Sequence, residues 1–312
     1  MPGVDRYGLT PLEGGWSGET FLADAAGERT VVRIYAHRGV ARGPRAVEVD
    51  AAVLRLVRGL LPVPEVIEVR RPDTEAGTPA VLVTSLLPGE RLDLAWDRMS
   101  TKTKRATGAE LGTLLARLAQ MPMLAPGMFV DRTLRVEPWS VAGGVVGYVE
   151  QRLSEGALRA WTSTEDSAML RLADLAQTHL DRWDRSGLVH SDFNAKNLLV
   201  DPVSGAVTGV VDWEFAHAGH PASDLGNLLR FEREPGFVNG VLAGFTERVP
   251  DAPDNLLVMA RAADLVALVD LAGRAGTNPV AIRAHDLLRR MTHAGCLDVA
   301  KTPGATDLRA AP

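Results

Sequence analysis

Three patterns mark this chain as α+β, with strands concentrated before about residue 87 and helices after it. First, short β-branched or alternating runs are separated by Gly- and Pro-bearing breaks: Thr20-Phe21-Leu22, Thr30-Val31-Val32-Arg33-Ile34-Tyr35 and Ala80-Val81-Leu82-Val83-Thr84. Second, apolar residues recur at helical spacing further on. Leu111, Leu114, Leu115 and Leu118 do so within Thr101 to Ala119, and Leu170, Ala173, Gln177 and Leu180 within a helix expected from Ser163 to Asp184. Third, one hairpin interrupts the helical part. Leu198-Leu199-Val200 and Val207 to Val211 flank Asp201-Pro202-Val203-Ser204-Gly205, with the fold expected near Ser204-Gly205.

Taken in order, the first element is a glycine-rich turn, Leu12-Glu13-Gly14-Gly15-Trp16-Ser17-Gly18, before the strand that starts near Thr20. Glycines let a backbone come close to an anion, so amides near Gly15 and Ser17 can cover phosphate oxygens; an ordinary hairpin would read the same way. In the strand Thr30 to Tyr35, Val31 and Arg33 share a face. A helix follows over Ala46 to Gly59. Asp50, Leu54, Val57 and Leu61 form one stripe, whereas Glu48 falls beside Ala52 and Arg55. Asp50 is therefore the acid expected on the core side, where it would pair with Arg33, and Glu48 is the alternative. After Ala80 to Thr84, Ser85-Leu86-Leu87-Pro88-Gly89 turns the chain out of its strand.

The densest chemistry lies in His190-Ser191-Asp192-Phe193-Asn194-Ala195-Lys196-Asn197, followed fifteen residues later by Asp212. Asp192 can accept the proton of an attacking hydroxyl, and Asn197 and Asp212 can hold the Mg²⁺ that bridges nucleotide phosphates. The hairpin between them is expected to bring residues 197 and 212 opposite each other.

This order is that of the H-x-D-x-x-x-x-N loop and metal-binding Asp of kinase-like enzymes. Asp212-Trp213-Glu214 stands where protein kinases have D-F-G, no A-P-E segment follows, and Gly219-His220-Pro221-Ala222-Ser223-Asp224-Leu225-Gly226 comes next. The pattern resembles the aminoglycoside phosphotransferase family, which includes choline, homoserine and antibiotic kinases on a shortened kinase fold. The resemblance covers about residues 10–290 and is strongest over 186–229. It implies a protein-kinase-like two-lobed fold: a small antiparallel-sheet N-lobe (1–87), a larger, mostly helical C-lobe (88–300) and a loose tail (301–312). It also implies ATP as donor, with GTP open, bound between the lobes, and Mg²⁺ on Asn197 and Asp212. Arg33 stands where the fold carries its phosphate-pairing Lys, a departure that keeps the charge on a larger group. The Ser85 carbonyl and Leu87 amide would meet the adenine edge. His190 and Asp224 would brace the loop backbone. Lys196 would either reach the γ-phosphate or stand exposed.

Composition narrows the rest. A net charge of −5 argues against a nucleic-acid partner, and no apolar run approaches membrane-spanning length. The single cysteine, Cys296, rules out an internal disulfide framework and fits a reducing cytosol. A monomer or weak dimer is expected. From Trp213 to Asp270 there are nine acidic and four basic residues, which favours a cationic small-molecule acceptor. Besides Asp192, Glu214, Asp264 and Asp270 are the expected acceptor-site carboxylates; Asp264 and Asp270 interrupt a nearly apolar helix, Leu256 to Ala272. Local pairing with Arg261 and Arg274 is the competing reading of that pair. Within the family the chain is similar to phosphotransferases that inactivate tuberactinomycin peptides such as capreomycin and viomycin, with no single motif behind that step, and an aminoglycoside is the close alternative. A metabolic kinase would use the same catalytic set, but a choline site needs an aromatic cage and aromatics are 5% of the chain. A non-catalytic binding protein on the fold is favoured only by the Lys-to-Arg change.

Overall fold

The computed structural model describes residues 8–12, 20–25, 27–36, 42–139, 143–232 and 234–299. The chain forms two compact units, whose limits differ from a single cut at Leu87. One comprises Met1–Thr103, Gly127–Glu137 and His190–Ala218, so the catalytic segment groups with the strand-rich part. The other comprises Lys104–Pro126, Pro138–Val189 and Gly219–Pro312.

The first unit is built on an antiparallel sheet of β1 (Gly8–Pro11), β2 (Thr20–Ala25), β3 (Glu28–Tyr35), β4 (Val66–Arg70) and β5 (Ala80–Ser85), in the order β1-β2-β3-β5-β4. β2 and β3 join through Gly27, whose φ of +87° costs a residue without Cβ little. Arg33 lies in the middle of the central strand, opposite Thr20 on one side and Leu82 on the other. Helix α1 (Ala46–Val57) packs on β4 and β5 and buries Val47, Val49, Val53, Leu54 and Val57. Asp50 is buried with them, on the stripe its spacing indicates.

After β5, the two-residue strand β6 (Glu90–Arg91) joins the catalytic hairpin, β7 (Leu198–Val200) with β8 (Val207–Val210), in the order β8-β7-β6. The turn is made by Asp201, whose carboxylate accepts from the Val203 and Ser204 amides and the Ser204 hydroxyl. A register shift follows Leu199, and the Val211 amide donates to the Asn197 carbonyl at 2.9 Å. Residue 197 therefore faces 211, and Asp212 sits one step beyond the position expected for it. Thr208 Oγ1 donates to the Pro88 carbonyl at 2.7 Å, tying the segment after β5 to the hairpin. That approach leaves no room for a Cβ at Gly89, which would overlap Thr208 and lie 2.9 Å from the Val200 carbonyl.

The second unit is helical: α2 (Thr101–Ala119), α3 (Gly144–Leu153), α4 (Ser163–Leu180), α5 (Ser223–Leu229), α6 (Pro235–Thr246), α7 (Leu256–Ala263), α8 (Leu265–Gly273) and α9 (Pro279–Ala294). A Thr162–Glu165 capping box starts α4. The core of this unit gathers Val149, Met169, Leu172, Leu265, Leu268, Leu288 and Met291 from α3, α4, α8 and α9. The helix expected from Leu256 to Ala272 is two, with the break at Asp264 (φ −80°, ψ −10°), where the carboxylate accepts from Arg230 Nη2 at 2.6 Å and Nε at 2.8 Å.

Helices α2 and α6 meet through glycines four residues apart on each. A Cβ at Gly112 would overlap the Val241 carbonyl, one at Gly244 the Ala109 carbonyl, and one at Gly108 would stand 2.6 Å from the Phe237 carbonyl. The backbones therefore approach more closely than any side chain would allow. Gly112→Ala is expected to destabilise the protein by about 1–3 kcal/mol, read as a lower urea midpoint at unchanged slope.

His220 lies against the Trp183 ring, centroids 5.6 Å apart. Burial pushes its imidazole down to about 4, against a smaller opposing pull from the Trp183 backbone. An unfolded His titrates near 6.5, so between these values the unfolded chain binds more protons than the folded one. This contribution to stability is complete above about pH 6.5 and is lost as pH falls toward 4. His220→Gln should flatten that limb in urea unfolding measured from pH 8 to 4.

Candidate functional site

The catalytic loop is locked from beneath by three rings. His190 is fully buried, with the Trp213 ring centroid 4.5 Å away and that of Phe193 5.7 Å away. Its Nδ1 accepts from the Asp192 amide at 3.2 Å, which leaves Nε2–H to donate to the Val211 carbonyl at 3.0 Å. His190 thus spans the loop and the end of the hairpin as a backbone brace. Trp213 is equally structural: it is buried, and Nε1 donates to the Val210 carbonyl at 3.0 Å. Ser191 and Asp212 are held at φ of +72° and +65°, a region costly for residues with a Cβ and common where surrounding packing aims a functional group.

Two amides hold the Asp192 carboxylate. Asn194 Nδ2 donates to Oδ1 at 2.7 Å, and Asn197 Nδ2 donates to Oδ2 at 2.8 Å and to the Asp192 carbonyl at 2.9 Å. Because Asn197 spends its NH₂ group there, its Oδ1 is turned away and carries no hydrogen bond among the described residues. Asp212 likewise uses Oδ1 for Arg33, at 2.9 Å, and keeps Oδ2. One carboxylate oxygen and one amide oxygen suit Mg²⁺, which takes few protein ligands and completes its octahedron with water and substrate phosphates. Among the described residues no group of three or more His, Cys, Asp or Glu side chains forms a closed metal cage.

Arg33 reaches this site from β3. Its Nη1 donates to Asp212 and its Nη2 to Glu214, and the guanidinium carbon lies 5.5 Å from the Tyr35 ring centre. Burial opposes the charge, but Asp212 and then Glu214 outweigh it, so the Arg33 pKa is raised. The expected Arg33–Asp50 ion pair does not form. Asp50 Oδ1 takes Arg42 Nη2 at 2.6 Å, and Oδ2 takes Arg42 Nη1 at 2.9 Å and the Tyr35 hydroxyl at 2.6 Å. The alternative, Glu48, pairs with Arg71 at 2.5 Å. Helix α1 therefore supplies its acid to Tyr35 and Arg42. Tyr35 was legible as the residue two along from Arg33 on the same strand face; Arg42, in the turn before α1, carried no such signal.

The expected acceptor carboxylates meet cations of the chain itself. Glu214 is 4% exposed and bound to Arg33; burial holds its carboxyl above the ordinary range, with Arg33 pulling the other way. Asp264 is 5% exposed and neutralised by Arg230, a partner 34 residues away, in place of Arg261. Asp270 accepts from Tyr148 at 3.0 Å and lies 3.4 Å from Arg152 and 3.6 Å from Arg274. Asp224, Asp264 and Asp270 belong to the helical unit, whereas the other described candidates belong to the first. Asp224 is buried in the first turn of α5. Ser85 ends β5, its hydroxyl accepting from the Glu65 amide at 2.9 Å, and the Leu87 amide makes no backbone hydrogen bond among the described residues. Lys196 is exposed. Gly15, Ser17 and the tail 301–312 lie outside the described residues.

Comparison with known proteins identifies the family and the fold. The family model described as "Phosphotransferase enzyme family" (APH) matches residues 8–256. Curated relatives include acyl-CoA dehydrogenase family member 10 of Mus musculus, 24% identical over 219 residues (70% of this chain, 20% of that protein). Member 11 of Rattus norvegicus is 35% identical over 92 residues (28% and 12%). The match thus spans a fifth or less of each of these relatives. Similar solved structures include a putative aminoglycoside phosphotransferase from Ralstonia eutropha JMP134 (TM-score 0.65, 18% identity, 93% and 91% of the two chains covered). The GDP complex of wild-type aminoglycoside 2′-phosphotransferase-IIIa gives 0.64, 15%, 94% and 95%. A ternary complex of aminoglycoside phosphotransferase APH(4)-Ia with ADP and hygromycin B gives 0.62, 18%, 92% and 94%. These structures share the kinase-like α+β fold, and the match over residues 8–256 shows that the chain belongs to the phosphotransferase enzyme family (APH).

Proposed function

We propose that the protein transfers the γ-phosphoryl group of ATP to a hydroxyl of a small molecule. The observation that carries this reading is the Asn197 side chain, which fixes the Asp192 base with its nitrogen and leaves its oxygen to a cation. Asp192 accepts the hydroxyl proton as the acceptor oxygen bonds to phosphorus and the bond to the β-phosphate oxygen breaks; ADP leaves and the proton passes to solvent. Asn197 Oδ1 and Asp212 Oδ2 would hold Mg²⁺, which would supply charge neutralisation at the phosphates when bound. Arg33 steadies the phosphates, amides near Gly15 and Ser17 cover them, and the Ser85 carbonyl and Leu87 amide meet the base. GTP would fit the same main-chain groups less well, because its edge reverses donor and acceptor.

For the acceptor, the net charge of −5 supports a cationic antibiotic, a tuberactinomycin such as capreomycin or viomycin, or an aminoglycoside, whose phosphorylation would inactivate it and confer resistance. Asp192 is the carboxylate that stays in the site for such a substrate, since Glu214, Asp264 and Asp270 are paired. Trp213 is buried and unavailable to a choline cage. The curated relatives favour a second acceptor class. A phosphotransferase segment within proteins named for acyl-CoA dehydrogenases would serve a hydroxylated acyl-CoA, so that class belongs in the same panel.

Incubation with Mg²⁺-ATP and capreomycin, viomycin, aminoglycosides, choline, homoserine and hydroxyacyl-CoA thioesters, followed by mass spectrometry, should show one added phosphoryl group on one class. Asp192→Asn should lower kcat by about 10²–10⁴ with ATP affinity nearly unchanged. Full turnover in that variant would remove the mechanism. Asn197→Ala should raise the Mg²⁺ concentration needed for half-maximal rate by about tenfold or more, since it removes a ligand and releases Asp192.

A further inference from the structure

The acid that holds Arg33 lies two residues past Asp212, and we infer that Glu214 is the positioning residue for the phosphate-gripping guanidinium. This inference rests on the nucleotide role proposed for Arg33 above. Helix α1 cannot serve: both Asp50 oxygens are taken by Arg42 and Tyr35, and Glu48 is paired with Arg71. Asp50 makes no ion pair with Arg33: its hydrogen bond fixes the Tyr35 ring beneath the guanidinium, and its charge adds a weaker through-space attraction than Asp212 or Glu214.

Glu214 is suited to the task by burial and by what it leaves free. At 4% exposure it cannot exchange Arg33 for water, and breaking one partner from a buried pair leaves an uncompensated charge. Arg33 is therefore anchored through Nη2. Its Nη1 is shared with Asp212, a looser partner at 38% exposure, and its Nε is buried without a hydrogen-bond partner among the described residues. A donor left unsatisfied in this way is costly, and a phosphate oxygen is the kind of acceptor that would satisfy it. When Asp212 turns its charge to a metal, Glu214 keeps the guanidinium in place. A Lys at position 33 could not divide its charge in this manner, because an ammonium lacks the planar fork. The Arg in β3 and the Glu two residues after the metal-binding Asp form one device.

The test is a double-mutant cycle on Mg²⁺-ATP affinity, read by displacement of a fluorescent nucleotide, with steady-state kinetics alongside. E214Q is expected to weaken ATP binding and raise its KM about tenfold, with kcat changed less than about threefold. R33M should weaken ATP binding at least as much. In the R33M background, adding E214Q should change ATP affinity by less than about twofold, because its effect passes through Arg33. Fully multiplicative losses, or unchanged ATP affinity in E214Q, would overturn the inference. So would a rise confined to the acceptor's KM, which would make Glu214 an acceptor carboxylate. If E214Q does not fold by circular dichroism, E214D takes its place in the cycle and is read in the same way, since it keeps a carboxylate beside Arg33 and only shortens its reach. Wild-type protein that binds no Mg²⁺-ATP would instead overturn the proposed function itself.

Discussion

A guanidinium in the central strand of a sheet must find its counter-charges inside the protein, and Arg33 finds two on the segment that ends the catalytic hairpin. Much of the candidate site follows from that demand. Asp212 has to leave the β8 ladder with a left-handed backbone to face Arg33, and Glu214 has to turn inward behind it. Both turns depend on the packing of His190, Phe193 and Trp213 beneath them, which supplies apolar burial where the backbone is least regular. The charges near Arg33 are thus arranged by a hydrophobic floor.

The same floor fixes the proposed base, Asp192. His190 bridges the Asp192 amide and the Val211 carbonyl, so the start of the loop and the end of the hairpin cannot move independently. Asn194 and Asn197 then hold the Asp192 carboxylate by neutral donors, one on each oxygen, which orient it. Fixed dipoles of this kind hold the orientation of the group proposed as the base.

The helical unit rests on a different device. Glycines at 108, 112, 240 and 244 bring α2 and α6 to backbone contact, and Gly226 does the same for α5 against Ala260 and Asp264. The buried Arg230–Asp264 pair crosses this region and breaks what would otherwise be one apolar helix. Its charges are spent on holding the unit together, which is why an acidic count over residues 213–270 overstates the negative surface available to an acceptor.

The sequence by itself determined the α+β order, the strand bearing Arg33, the Asp50 stripe, the helix from Thr101 to Ala119 and the loop from His190 to Asn197. Each of these depends on local spacing: alternation for strands, 3.6-residue periodicity for helices, and a motif whose members lie within one loop. Tertiary structure alone decided the partners of the charges. Arg33 and Glu214 are 181 residues apart, and Arg230 and Asp264 are 34 apart. The bulge after Leu199 moved residue 212 by one place relative to a regular hairpin. Ion pairing depends on distance in space and on burial, and neither is written in residue spacing; a carboxylate reads the same in sequence whether it awaits a substrate or already holds an arginine.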